Sequence, residues 1–186
     1  MAEHEWLLAA AKSVLLVIDL QESYRDKLHE EARVIRATTR LLDAAGALAI
    51  PVLLTEQYPK GLGATRKEIA RHLPADCARF EKTSFSALDA PGLRERLQAL
   101  ARPQVVVAGI ETHVCVSQTV LGLAAEGFQP HAVRDAITAR FPLEDEVGFG
   151  KLVGAGAVVG TVESVLFEWL RDSHNPAFKA VQRLVV

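Results

Sequence analysis

The chain has 186 residues, a formal net charge of -2 at pH 7, and 49% apolar residues. This length fits one domain, expected to span residues 1–186, which can bury roughly 70% of the surface of its unfolded chain. The charge argues against a nucleic-acid partner, because no run of Lys and Arg predicts a basic surface. The two cysteines, Cys77 and Cys115, are too few for a disulfide framework.

The N-terminal segment carries acidic residues and lacks the basic region of a signal peptide. No apolar run approaches the ~20 residues that are needed to cross a bilayer. We therefore expect a reducing, cytoplasmic setting and no membrane partner.

In chain order, the first predicted element is a strand over residues 14–19, because its continuous apolar, β-branched run is typical of a strand buried on both faces. A helix over residues 30–45 and a second buried strand over residues 51–55 follow. Residues 56–80 are predicted to be irregular, with a short helix over residues 65–71.

The rest of the chain alternates between helices and extended segments. The predicted helices cover residues 91–101, 114–126, 143–152, 161–170 and 176–183, and the predicted extended segments cover residues 80–85, 104–110, 129–133 and 157–159. Such alternation indicates βαβ units around a parallel sheet.

Polar residues follow three of the predicted strands. Asp19 ends the first strand, Glu56 and Gln57 follow the second, and residues 110–115 follow the strand over residues 104–110. Functional groups of parallel sheets gather beyond the carboxyl ends of the strands, so we expect these residues at one edge.

Cys115 is the candidate nucleophile. It follows a buried strand at the start of a predicted helix, where unpaired N–H groups and the helix dipole favour a thiolate and can bind an oxyanion. The alternative is a buried core cysteine, because free cysteine is among the most buried residue types. Cys77 has no comparable setting and is expected to be structural.

Asp19 and Lys82 are candidate partners of the thiol. A carboxylate directly after a buried strand is suited to act as a base, although it can also cap a loop. Lys82 lies between Phe80 and Phe85 in an extended segment that can turn it inward, although taken alone the pattern favours a solvated loop lysine. The six histidines are scattered, so no metal site is predicted.

Three separated segments make the chain recognisable: residues 17–21 (VIDLQ), 80–87 (FEKTSFSA) and 109–116 (GIETHVCV). In this order they resemble the isochorismatase-like cysteine hydrolases, over residues 14–184. Residues 55–63 (TEQYPKGLG) and 112–115 (THVC) are most similar to the isochorismatase-domain-containing branch of that superfamily.

The resemblance implies a three-layer α/β/α sandwich with a six-stranded parallel sheet, related to the Rossmann fold. It implies an Asp-Lys-Cys triad at Asp19, Lys82 and Cys115. It also implies a cis peptide bond at Ile110–Glu111, with the N–H groups of Glu111 and Cys115 forming an oxyanion hole. The implied reaction is hydrolysis of an amide or imide C–N bond through a thioester, without a cofactor.

Two departures from relatives narrow this expectation. Residues 55–59 contain no histidine, which argues against the metal site of nicotinamidases and against zinc. Cys115 is present, whereas true isochorismatases commonly lack the nucleophile, so acyl chemistry is favoured over hydrolysis of a vinyl ether. A non-catalytic binding or assembly module and a redox-sensing thiol remain as alternatives.

A substrate pocket is expected near this edge of the sheet, for a small-molecule partner. Its predicted lining residues are Gln21, Tyr24, Gln57, Tyr58, Phe85 and His113, and the alternative is that several only pack loops. His113 is expected to play a minor or structural part.

A homo-oligomer is predicted from the apolar C-terminal segment, which offers more apolar surface than one monomer is expected to bury. The alternative is a tail that packs on its own domain. The residues concerned are Val162, Val165, Leu166, Phe167, Trp169, Leu170, Phe178, Val181, Leu184, Val185 and Val186.

Overall fold

A computed structural model of the chain describes residues 4–185 and contains a six-stranded parallel sheet with the strand order β3-β2-β1-β4-β5-β6. The predicted α/β fold with a parallel sheet is therefore confirmed. The strands are β1 (Ser13–Ile18), β2 (Val52–Gln57), β3 (Ala78–Lys82), β4 (Gln104–Gly109), β5 (Gln129–Ile137) and β6 (Val158–Gly160).

Helices connect the strands and cover both faces of the sheet. They are α1 (Glu31–Ala47), α2 (Pro59–Leu62), α3 (Lys67–Ala70), α4 (Leu93–Leu100), α5 (Ser117–Ala125), α6 (Pro142–Gly154), α7 (Val162–Leu170) and α8 (Phe178–Gln182). Within residues 4–185, no helix combines the length and apolar character needed to cross a bilayer.

The central strand β1 is buried on both faces, as its continuous apolar sequence predicts. Leu15 and Val17 pack into the core on one face with α1, α7 and α8. Alternate residues of the same strand, including Leu16, pack into the core on the other face with α4, α5 and α6. The sheet is therefore the middle layer of three, and its central strands carry the site described below.

Strand β5 is longer than predicted, because Arg134 and Asp135 interrupt its apolar pattern without ending it. Both side chains find partners: Arg134 pairs with Asp145 of α6, and Asp135 accepts a hydrogen bond from the Val162 N–H. Strand β3 also begins earlier than predicted, at Ala78, and pairs with β2 as an edge strand.

The apolar C-terminal segment packs on its own domain, so the prediction that it leaves a large exposed apolar surface is wrong. Helix α7 packs against α1 and β5, so its apolar face belongs to the core, and self-association stays a prediction without this surface as its basis. Phe167 is partly exposed, and Val186 lies outside the described residues. The buried or partly buried residues of the segment are Val162, Val165, Leu166, Trp169, Leu170, Phe178, Val181, Leu184 and Val185.

Candidate active site

Asp19 follows the last residue of β1 and is almost completely buried, at 2% exposure. Its backbone has φ 54°, in the left-handed region that aspartate tolerates better than most residues. This turn directs the carboxylate back over the sheet edge, where Oδ1 accepts a hydrogen bond from the Thr55 hydroxyl at 2.7 Å. Asp19 is thus held in place by the neighbouring strand β2.

Lys82 ends β3, and its side chain has no exposed surface. Its ammonium donates to Asp19 Oδ2 at 2.7 Å and to Gln57 Oε1 at 2.6 Å, and it lies 3.5 Å from Cys115 Sγ. The carbonyl oxygens of Ser84 and Phe85 lie slightly farther away, at 3.3 and 3.2 Å. Lys82 therefore points inward and is not a solvated loop lysine, and five acceptors surround its three protons.

Two glutamines fix the loop beside this ammonium. The Gln57 side chain donates to the Thr83 carbonyl at 2.8 Å, which leaves its oxygen turned toward Lys82. Gln21 lies behind it, because its side chain donates to the Gln57 and Gly63 carbonyls and accepts from the Gln57 N–H. Gln21 therefore joins β2 to the loop after it and does not face open space.

Cys115 lies in a π-helical turn, Thr112–Val116, between β4 and α5. The end of β4 approaches β1 so closely that a Cβ on Gly109 would lie 2.1 Å from the Ile18 carbonyl oxygen. On its other side, the turn packs on Gly148 of α6, where a Cβ would lie 2.8 Å from the backbone nitrogen of His113. Two glycines therefore allow the turn to sit between the sheet and α6.

Hydrogen bonds connect the Cys115 turn to its surroundings. Thr112 bonds to the buried Asp145 carboxylate, which in turn accepts from Arg134 at 2.8 Å. The Thr119 hydroxyl donates to the Cys115 carbonyl at 2.6 Å and accepts from the Ala87 N–H at 2.8 Å. The second pair of bonds joins the segment after Lys82 to the segment that carries the thiol.

Burial, and after it the Asp19 carboxylate, raise the pKa of the Cys115 thiol to about 12, while the Lys82 ammonium opposes both. The neutral thiol is therefore the resting form at neutral pH. This differs from the expectation that a helix start alone would favour the thiolate, because the thiol is 7% exposed and faces a carboxylate.

The peptide bond between Ile110 and Glu111 is cis. The Glu111 N–H donates no hydrogen bond to any group in the described part of the chain. The Glu111 carboxylate, in contrast, is held from outside by Arg140, whose backbone N–H and Nε donate to it at 2.9 and 3.0 Å. The side chain of Glu111 is thus occupied while its N–H remains available.

A cavity of about 410 Å³ opens onto Cys115. Four of the six predicted pocket residues line it, and Leu62, Val114 and Arg140 line it without having been predicted. Arg140 follows a polar strand end late in the chain, and no sequence signal placed it near the thiol. The cavity is lined by Tyr24, Gln57, Tyr58, Leu62, Phe85, Glu111, Val114, Cys115 and Arg140.

Gln21 and His113 do not line this cavity. Gln21 is buried in the backbone contacts given above, and the His113 ring turns toward α6, with Nε2 at 3.8 Å from Glu144. Glu56, expected at the same edge, instead binds the Thr65 N–H and hydroxyl and so closes the loop after β2.

Cys77 and Cys115 are both free, and they pack in the cores on opposite faces of the sheet. This separation leaves Cys115 without Cys77 as a resolving thiol. Among residues 4–185, no group of three or more His, Cys, Asp and Glu side chains is arranged to hold a metal ion.

Comparison with known families decides the classification. A family model of the isochorismatase domain matches residues 13–164. The chain belongs to the isochorismatase family. The predicted resemblance is therefore confirmed at the level of the family and of its hydrolase fold.

Two relatives in the isochorismatase family align over 96% of this chain. Isochorismatase domain-containing protein 2 of Xenopus laevis is 36% identical, and the match spans 86% of that protein. Isochorismatase domain-containing protein 1 of Danio rerio is 37% identical, and the match spans 62% of that protein. The chain is thus similar to most of the first protein and to less than two thirds of the second.

Solved structures show the same fold. The MAR1 ribonuclease of Caenorhabditis elegans has a TM-score of 0.92 and 36% identity, covering 96% of this chain and 91% of its own. The YcaC protein of Escherichia coli, described as an octameric hydrolase of unknown specificity, has a TM-score of 0.90 at 23% identity, covering 98% of this chain and 91% of its own. The second likeness shows the fold alone.

Proposed function

We propose that this isochorismatase-family chain hydrolyses a small-molecule amide or imide C–N bond through a thioester, with Asp19, Lys82 and Cys115 as the reacting side chains. One observation carries the proposal: a fully buried ammonium at 2.7 Å from a carboxylate and 3.5 Å from a thiol sulfur. An ammonium in that position stabilises negative charge on either neighbour as a proton moves between them.

The first half of the reaction forms the thioester. Asp19 takes the Sγ proton, and Lys82 stabilises the thiolate that results. Cys115 Sγ then attacks the carbonyl carbon of the substrate, and the Glu111 N–H, together with the Cys115 N–H, donates to the developing oxyanion. The C–N bond breaks, and the proton on Asp19 passes to the leaving nitrogen.

The second half releases the acid. Asp19, again a carboxylate, takes a proton from water as the water oxygen attacks the thioester carbon. The C–S bond breaks, the proton returns to Cys115, and the products are a carboxylic acid and the free thiol. Each step uses only side chains and backbone groups of this chain together with water and substrate, so the proposal requires no cofactor.

A hydrolysis screen over small amides, ureides and imides tests the proposal. Cys115→Ala is expected to abolish turnover while its thermal unfolding midpoint stays close to that of the unmodified chain. Cys77→Ala is the matched control, because its partly buried thiol packs against the core on the other face of the sheet, and it is expected to keep activity. Turnover of a confirmed substrate by Cys115→Ala would end the thioester mechanism.

A thiol probe provides a test that needs no substrate. Burial raises the pKa of Cys77 to about 11 and that of Cys115 to about 12, and Cys77 is the more exposed. Acidity and exposure alone therefore favour alkylation of Cys77. Faster labelling of Cys115 near neutral pH supports stabilisation of its thiolate by Lys82, whereas faster labelling of Cys77 supports a non-catalytic binding or assembly module.

Ribonuclease activity is a second candidate, because the C. elegans protein that carries that name is similar over nearly the whole chain. A net charge of -2 does not favour binding of a polyanion. Incubation with labelled single-stranded and double-stranded RNA, with Cys115→Ala as the comparison, separates this candidate. Cleavage lost in Cys115→Ala would replace the amide proposal. Hydrolysis of a vinyl ether, as in true isochorismatases, belongs in the same screen.

A further inference from the structure

A second cavity, of about 430 Å³, lies beside the one that opens onto Cys115. Its lining comes from the start of α2, the end of β3 and the segment before α4, including Pro59, Glu81 and Pro91. Among the described residues that line the two cavities, Tyr58 is the one they share. Tyr58 thus lies at the boundary between an inner cavity, which contains the thiol, and this outer cavity.

The backbone holds Tyr58 in place more than burial does. The residue is 54% exposed, so burial alone does not fix its position. Its N–H donates to the Lys82 carbonyl at 2.7 Å, and its carbonyl accepts from the Gly61 and Leu62 N–H groups at 2.9 and 3.0 Å. With φ 38°, the residue turns the chain from β2 into α2.

The ring of Tyr58 packs directly against Gly61. A Cβ on Gly61 would lie 2.5 Å from Tyr58 Cε1 and 2.6 Å from Tyr58 Cδ1, closer than real Cβ contacts. The ring therefore occupies space that any other residue at position 61 would fill. Gly61 has no positive φ that would itself require glycine, so this contact is what a substitution there disturbs.

We propose that Tyr58 is a specificity-determining residue, whose ring closes the inner cavity and restricts the site to compact acyl groups. The inference rests on the proposed function, because the acyl carbon must reach Cys115 Sγ and stays bound there as the thioester. The acyl group must therefore fit the inner cavity, whose volume is near the lower end of the roughly 300–1,000 Å³ of small-molecule sites. Without the ring, the inner cavity opens into the outer one and admits bulky acyl groups.

Alkylation of Cys115 tests this role of Tyr58 without requiring hydrolysis. The probes are iodoacetamide, which is compact, and N-benzyl iodoacetamide, which adds an aromatic ring. Each forms a C–S bond as the C–I bond breaks, with release of iodide and loss of the thiol proton to solvent. Carrying Cys77→Ala in every variant leaves one thiol, so the measured quantity is the ratio of the two second-order rates.

Tyr58→Ala is expected to lower the compact-to-bulky rate ratio by at least about tenfold, because a misfit of one or a few methylene groups is worth roughly ten- to 200-fold. Tyr58→Phe keeps the ring and is expected to leave the ratio of the native residue unchanged. Gly61→Ala is expected to change the ratio at least about threefold, because the added Cβ displaces the ring. Gly150→Ala is its matched control, because a Cβ there has no neighbour within 4 Å.

The outcomes separate this inference from the proposed function. If Cys115 reacts with both probes and Tyr58→Ala leaves their ratio unchanged, the role of Tyr58 is overturned and the thioester mechanism stands. If Tyr58→Phe changes the ratio as much as Tyr58→Ala does, the proposal is also overturned, because the hydroxyl and not the ring would then set the specificity. If Cys115 of the unmodified chain reacts with neither probe at any pH up to 10, the nucleophile and the role of Tyr58 fail together.

Discussion

Asp19→Asn changes the charge beside the reactive sulfur with little change in shape. In the native chain, the Asp19 carboxylate raises the pKa of Cys115, and the Lys82 ammonium lowers it. The substitution removes the first influence and keeps the second. We therefore expect the thiol to become more acidic in a variant that loses its proposed base, so thiol reactivity and turnover change in opposite directions.

The size of the effect follows from the charges. A neighbouring charge within about 4–6 Å shifts a pKa by roughly 1–3 units. Each unit by which the thiol pKa falls gives about tenfold more thiolate at pH 8, and the nucleophilicity of that thiolate falls about threefold. We expect alkylation of Cys115 by iodoacetamide to accelerate roughly 3- to 30-fold, while hydrolysis slows at least about 100-fold because the general base is lost.

The assay is the pH profile of the alkylation rate between pH 6 and 10, measured in the Cys77→Ala background. The Lys82 ammonium loses its anionic partner in this variant, and breaking a buried pair costs about 3–5 kcal/mol, so a thermal melt must show that the protein is folded at the assay temperature. An alkylation rate that stays the same or falls in a folded Asp19→Asn variant would falsify the electrostatic argument.

The remaining predictions concern stability. Gly148→Ala is expected to destabilise the fold by about 1–3 kcal/mol in urea titrations, because its Cβ would lie 2.8 Å from the His113 backbone nitrogen. Gly150→Ala in the same helix is the control and should stabilise the fold by up to about 1 kcal/mol. Equal effects of the two substitutions would contradict the close contact. Burial lowers the pKa of His131 to about 4, so between pH 6.5 and 4 the unfolded chain binds more protons than the folded one. The free energy of unfolding should therefore fall by roughly 3 kcal/mol as the pH is lowered from 6.5 to 4. His131→Gln should remove this loss, and an unchanged pH dependence would refute it. Thr119→Val leaves the Cys115 carbonyl and the Ala87 N–H without their bonds and should cost at least about 1–3 kcal/mol; calorimetry that shows no loss would mean that water replaces the hydroxyl.

The central strands could be predicted from the sequence because both of their faces are buried. In β1 and β4, every position is apolar, small or satisfied by a neighbour, so the pattern is unambiguous. Edge strand β3 alternates between exposed and buried positions, and its burial depends on pairing with β2, which no local pattern reveals. The same holds for the polar end of β5, whose partners lie in α6 and α7.

The candidate site was predictable only through the resemblance of three segments to a family. No spacing rule brings residues 19, 82 and 115 together, because their contacts depend on the strand order of the folded sheet. The pocket was harder to predict, since a rim position does not say where a side chain points. Gln21 and His113 lie near the rim and turn away from the cavity, while Arg140 arrives there from the end of β5.

The strand order has a consequence for how the site assembles during synthesis. Apart from the sulfur, every acceptor of the Lys82 ammonium lies between residues 19 and 85, so the acid–base part of the site belongs to the portion of the chain that the ribosome releases first. The thiol follows about thirty residues later and enters across the β1–β4 pairing. A nascent chain that has exposed β1, β2 and β3 therefore already contains the partners that will receive the nucleophile.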